Sequence, residues 1–178
     1  MNDTTTPADW KPKAANQTRL AFGQALLELG AREPGTVVLS ADTQDLLGIR
    51  PYIDRFRERF IELGIAEQNA IGVASGLATT GLRPYVCAYA PFITARSMEQ
   101  VRNDVAYANQ RVVIGAAASG VSLGVAGGTH HAREDLAVDV AATQGQAQTA
   151  SGKGLALLQR GRQRRSTGTF GDVVRGAE

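Results

Sequence analysis

The sequence predicts an α/β fold, a parallel sheet with flanking helices, and three observations predict it. Short β-branched apolar runs recur along the chain, as TVVLSA (36–41), PYVCAY (84–89) and RVVIGAA (111–117). Each is preceded or followed by a longer segment with apolar residues at helical spacing. Strands alternating with helices assemble as a parallel sheet with right-handed crossovers. The alternation stops after Val138, where the composition changes to Gly, Gln, Arg, Ser and Thr.

Residues 1–15 are polar and read as a disordered lead. Asn16 is placed to cap a helix over TRLAFGQALLELGA, in which Leu20, Phe22, Leu26, Leu27 and Leu29 form a broad apolar face. TVVLSA follows as a buried strand. Residues 45–58, with Pro51 and several charges, predict a loop containing a short helix. RFIEL (59–63) is the second strand, and Glu67 to Thr80 is a helix that Gly81 stops. PYVCAY is the third strand. An amphipathic helix over 92–108 is entered after Pro91, and RVVIGAA is the fourth strand. A glycine-rich loop, SGVSLGVAGGTHH, leads to a short helix at AREDLAV (132–138). Residues 16–138 form the domain. Residues 139–178 are a low-complexity basic tail, mostly disordered, in which only LALL (155–158) is apolar enough to pack.

Composition excludes several function classes. The N-terminus has no apolar core of a secretory signal, and no apolar run approaches the ~18–20 residues that span a bilayer. The single cysteine, Cys87, leaves no intrachain disulfide and fits a reducing, cytoplasmic setting. The net charge of +2 is unevenly placed: residues 139–178 hold six cations against three acids, so residues 1–138 sum to −1. The folded part is close to neutral, which argues against a nucleic-acid partner. His130 and His131 are the only histidines, and no Cys or acid spacing around them predicts a metal site.

In parallel sheets ligands bind beyond the carboxyl ends of the strands. The loops beginning near Asp42, Leu63, Tyr89 and Ala118 all leave that edge. Glu67 begins a helix directly after a strand end. Taken alone, it reads as an acid complementing the helix dipole. Ala66, Ala70, Ala74 and Ala78 repeat every four residues with Gly72 and Gly76 alongside. This stripe, almost bare of side chains, predicts close approach by a helix of a second subunit and burial of Glu67 between chains. Tyr89 and Phe92, three residues apart in YAPF, are core aromatics or a flat wall for a ring at the same edge. Asp42, ending LSAD, is a turn acid or a ligand.

GIAEQNAIGVASGLA resembles the glutamate-bearing helix of the transketolase family and of the related deoxyxylulose-phosphate synthases. The resemblance runs from about Thr18 to Val138, most of the pyrimidine-binding domain of the thiamin diphosphate-binding fold. It implies thiamine diphosphate as cofactor, which reacts at C2 of its thiazolium ring. The proton there is removed by the cofactor's own 4′-imino group, a form that requires N1′ to be protonated. Glu67 would hydrogen-bond to N1′, and burial at a dry interface strengthens that proton sharing. Tyr89 and Phe92 would stack on the aminopyrimidine, although the further aromatic common one turn later is replaced by Ala95 or Arg96. Asp42 matches the Asp of the family's SAD string, which reaches the cofactor. Arg19 and His130, the latter in GGTHH, match residues that meet the sugar-phosphate substrate. The chain departs from the family at GVAG (124–127), where GEDG is usual, and at Ala118, where a histidine is common.

The family holds Mg²⁺ and the cofactor's diphosphate with GDG and a later Asn. No GDG occurs here. The resemblance therefore implies the C-terminal subunit of a split transketolase, working with an N-terminal subunit that carries GDG…N and associating with itself through the Glu67 helix. The complete enzyme would move a two-carbon ketol unit between sugar phosphates. Similar subunits continue after AREDLAV with a further βα unit and a third domain. The chain is expected to be truncated there, by a shifted frame or as a gene remnant, leaving an open sheet edge. A catalytically inactive remnant that only folds and associates is the alternative reading.

Overall fold

The computed structural model describes residues 17–135, residue 137, and the backbone of two strands at 148–152 and 155–159. The expected lead at 1–15 lies outside the described residues. Of the short helix expected at 132–138, residues 136 and 138 lie outside them; among the others Ala132 pairs with Gly120 and only Asp135 and Ala137 are helical.

Four strands are parallel, β1 (Thr36–Ser40), β2 (Phe60–Glu62), β3 (Arg83–Tyr89) and β4 (Val113–Ala117), in the order β2-β1-β3-β4. Helices α1 (Gln17–Arg32) and α2 (Arg50–Arg55) cover one face, and α3 (Glu67–Thr79) covers the other. The alternation of side chains along each strand separates the two cores. Val37 and Leu39 of β1 pack with Ile71, Ala74, Val86 and Ile114, whereas Val38 packs with Phe22, Leu26, Tyr52 and Cys87. Every residue of β1 and β4 is buried, as a parallel sheet covered on both faces requires. Within the predicted apolar face of α1, Phe22 and Leu26 are buried but Leu20 is 48% exposed. No helix among the described residues is long and apolar enough to cross a membrane.

Two features differ from the sequence reading. The stretch expected to be one amphipathic helix over 92–108 consists of wide π-helical turns at Phe92–Arg96 and Val101–Tyr107 around a short α4 (Met98–Gln100). Ser97 Oγ donates to the Phe92 carbonyl at 3.0 Å, five residues back, and Ala108 N donates to the Asn103 carbonyl at 3.2 Å. Such turns change which residues share a face, so a 3.6-residue pattern does not place them. In addition, the far edge of β4 is covered. Within the stretch expected to be a low-complexity tail, β5 (Gln148–Gly152) and β6 (Leu155–Gln159) form an antiparallel pair, and β6 lies antiparallel against β4. β6 contains LALL, the one string there with the capacity to pack. The remaining tail lies outside the described residues.

Candidate functional site

Glu67 opens α3 at the carboxyl edge of the sheet, one residue after the non-helical Ala66. Its side chain is only 2% exposed, although this is a single chain. The expectation that a second subunit buries it is corrected here: the π-helical turn at Phe92–Arg96 closes over it. Arg96 Nη1 donates to Glu67 Oε2 at 2.9 Å. The same guanidinium lies over the Phe92 ring, 4.3 Å from its centroid. The Arg96 side chain is 44% exposed, so the ion pair joins a buried carboxylate to a cation that reaches the surface.

Three rings continue this cluster. Phe92 meets His130 edge to face at 5.1 Å between centroids, and Tyr89 meets His130 at 5.8 Å and Phe92 at 6.1 Å, all near perpendicular. His130 Nδ1 is 3.0 Å from Thr129 Oγ1. The loop that carries it is closed by paired backbone bonds between Gly120 and Ala132, at 3.0 and 2.8 Å. That closure folds the glycine-rich loop back over the ends of β3 and β4. Glu67, the Tyr89–Phe92 pair and His130, from three separate parts of the sequence, thus form one connected set, with Arg96 joining Glu67 to the rings.

Asp42 and Arg19 stand outside this chain of contacts. Asp42 is exposed, in the left-handed region at φ 56°, and its N–H donates to Glu62 Oε1 at 2.8 Å. The same Glu62 oxygen accepts from Gly64 N at 2.8 Å, so one carboxylate ties the loop after β1 to the loop after β2. Arg19 Nη1 donates to the Leu46 carbonyl at 3.0 Å and braces the loop at 42–49. Neither Glu62 nor Arg96 stands out in the sequence as a site residue. Arg96 has one signal, its position where an aromatic is usual. The small residues of α3 also have another use than expected: Ala70 and Ala74 are fully buried against the chain's own sheet, and Ser75 Oγ donates to the Asp104 carbonyl at 2.7 Å. Within α3, Gly72 and Gly76 face open space.

Ala118, directly after β4, also has positive φ, at 60°. A Cβ is strained there, and strained backbone clusters at functional edges. Ala118→Gly is expected to raise stability by about 0.5–1 kcal/mol, the relief of strain less the added freedom of the unfolded chain. A thermal melt checks this; an unchanged or lower midpoint would show that the conformation carries no strain.

The fold and the site together define a class: an α/β domain presenting one buried acid and a set of rings beyond the carboxyl ends of its parallel strands. Comparison with known proteins identifies the family of this domain. Residues 14–142 match the family "Transketolase, pyrimidine binding domain". The chain is 38% identical over 120 residues to an apulose-4-phosphate transketolase subunit of Phocaeicola vulgatus, covering 67% of this chain and 38% of that protein. It is 38% identical over 126 residues to 1-deoxy-D-xylulose-5-phosphate synthase of Desulfotalea psychrophila, covering 71% of this chain and 19% of that protein. Among solved structures, one titled "Split gene transketolase, inactive beta4 tetramer" superposes with a TM-score of 0.59 at 42% identity, over 68% of this chain and 38% of that one. This chain belongs to the transketolase family through its pyrimidine-binding domain. It spans about two-fifths of the length of the Phocaeicola relative.

Proposed function

We propose that this chain is the pyrimidine-domain subunit of a thiamine diphosphate-dependent transketolase that moves a two-carbon ketol unit between sugar phosphates. The observation that carries the reading is Glu67: a carboxylate 2% exposed, connected through Arg96 and Phe92 to Tyr89 and His130. These residues fit the aminopyrimidine half of the cofactor. A buried acid can hold a proton at the ring nitrogen N1′, and aromatic side chains offer apolar walls for the ring. Thiamine diphosphate, held there, would supply the carbanion chemistry of the transfer. Glu67 would share the N1′ proton, Tyr89 and Phe92 would orient the ring, and the glycine-rich loop would limit water access from the His130 side. His130 is the candidate contact for substrate hydroxyls. Arg19 is the candidate for the phosphate end, a role in which its fork of donors serves an anion together with the Leu46 carbonyl. Asp42 would reach the cofactor from the end of β1.

Among the described residues no group of three His, Cys, Asp or Glu side chains converges as metal ligands. A partner chain bearing GDG…N would hold Mg²⁺ and the diphosphate, and self-association would use the open Gly72 and Gly76 side of α3. Two similar proteins support the partner: the Phocaeicola relative is named as one subunit of a transketolase, and the solved structure is an inactive tetramer of a split-gene transketolase. A cytoplasmic setting fits the single buried Cys87, whose thiol burial pushes upward.

The test is co-production with an N-terminal transketolase subunit that carries GDG…N. Binding of thiamine diphosphate and two-carbon transfer by the pair support the reading. A pair that assembles without binding the cofactor overturns it in favour of an inactive remnant. A salt-sensitive complex with nucleic acid, lost on deleting 139–178, would instead assign the basic tail a binding role.

A further inference from the structure

One guanidinium occupies both features that the proposed function gives to the cofactor's ring. Arg96 Nη1 holds Glu67 Oε2 at 2.9 Å, and its planar head lies 4.3 Å from the centroid of Phe92. A guanidinium is flat, cationic and rich in N–H donors. An aminopyrimidine protonated at N1′ presents the same three properties to an acid and an aromatic face. We propose that Arg96 is an internal stand-in for the aminopyrimidine: a positioning residue that pairs with Glu67 in the cofactor-free chain and must be displaced for thiamine diphosphate to engage. This rests on the reading of Glu67 as the N1′ partner.

The displacement follows from charge and space. A carboxylate that is 2% exposed carries one negative charge, and two cationic donors competing for it repel each other where little water screens them. The incoming ring and the guanidinium also compete for Phe92. Arg96 has somewhere to go. Its side chain is 44% exposed and lines an open cavity of about 380 Å³ together with Gln68, Glu99 and Arg102. Glu99, exposed and three residues further on, offers a second carboxylate in that cavity. The cofactor-free chain thereby keeps its buried acid paired, which avoids the penalty of an isolated buried charge. In exchange, only the fraction of molecules with Arg96 swung away can accept the cofactor, and the apparent affinity falls by that fraction.

The test measures thiamine diphosphate binding calorimetrically, with Mg²⁺, in the complex of this chain with its GDG…N partner. Arg96→Met keeps an apolar stem over Phe92 and removes the competitor. It is expected to bind the cofactor about three- to tenfold more tightly than wild type, because the latched population is gone. Arg96→Lys restores a cation and is expected to return the affinity toward the wild-type value. Glu99→Gln, which removes the second carboxylate, is expected to weaken binding by roughly twofold or more. Melting the cofactor-free chain gives an independent readout: Arg96→Met lowers the midpoint, and Glu67→Gln in the same chain recovers it. An Arg96→Met complex that binds the cofactor no better, or less well, than wild type overturns the stand-in while leaving the proposed function intact. A wild-type complex that does not bind the cofactor at all overturns both.

Discussion

Under the proposed function, Glu67→Gln is expected to lower two-carbon transfer by the complex with a GDG…N partner by about 10²- to 10⁴-fold, the range for removing a positioned proton-transfer group. Glutamine has nearly the same shape and still accepts a hydrogen bond, so α3 and its contacts stay in place. What it loses is the negative charge that would stabilise a proton at N1′. The chain should remain folded, because the partner cation is not trapped: Arg96 is 44% exposed and can rehydrate. The measurement is two-carbon transfer by the complex, alongside a thermal melt of the same protein. A fall of less than about tenfold would remove Glu67 from the proton-sharing role, since one hydrogen bond of ordinary strength is worth that much. A collapse of the melting midpoint would assign the residue to stability instead.

Gly23→Ala is expected to be the most disruptive small substitution in the scaffold. A Cβ at Gly23 would overlap the carbonyl of Gly48, which is backbone and cannot rotate aside. Gly48 itself is at φ 64°, with the Arg19 carbonyl 3.2 Å from where its own Cβ would lie, so neither side of this contact has room to give. The clash pushes α1 away from the turn that precedes α2 and disturbs the packing of Phe22 and Leu26 against Ile49 and Tyr52. Overpacking of this kind costs roughly 1–3 kcal/mol, which lowers the melting midpoint by roughly 5–10 °C. Gly35→Ala is the control. A Cβ there meets nothing within 4 Å, and its midpoint should hold or rise slightly. Equal midpoints for the two variants would mean that α1 does not lie directly on the Gly48 turn. Because Arg19 bonds the Leu46 carbonyl in the same loop, a stable but loosened Gly23→Ala chain should also show whether that brace matters to cofactor binding.

The strands were legible because a sheet covered on both faces needs continuous apolar runs, and TVVLS, RPYVCAY and VIGAA supply them within one or two residues of the observed ends. Helix α3 was legible from its glutamate start and its glycine stop: Gly81 has φ 89° and donates to the Ala78 carbonyl at 3.1 Å. The wide turns from Phe92 to Tyr107 were not legible. Their carbonyls are met five residues on, by the Ala108 N–H at Asn103 and by Ser97 Oγ at Phe92, and a 3.6-residue period does not encode that spacing. The spacing of the alanines at 70 and 74 predicts an intersubunit surface, yet both are buried against the chain's own sheet, because spacing alone does not say which way a helix is rolled.

Residue order was enough for the layered α/β architecture, for the placement of Glu67, Tyr89 and His130 at loops leaving one sheet edge, and for family membership, since strand direction and motif order carry these. It took the packed chain to show that the molecule buries its own acid, that Arg96 is the side chain paired with it, and that Glu62 ties two loops together. Those facts depend on side chains that meet across long stretches of intervening chain. Such meetings are set by the roll of a helix and the width of a turn, and neither leaves a period in the sequence.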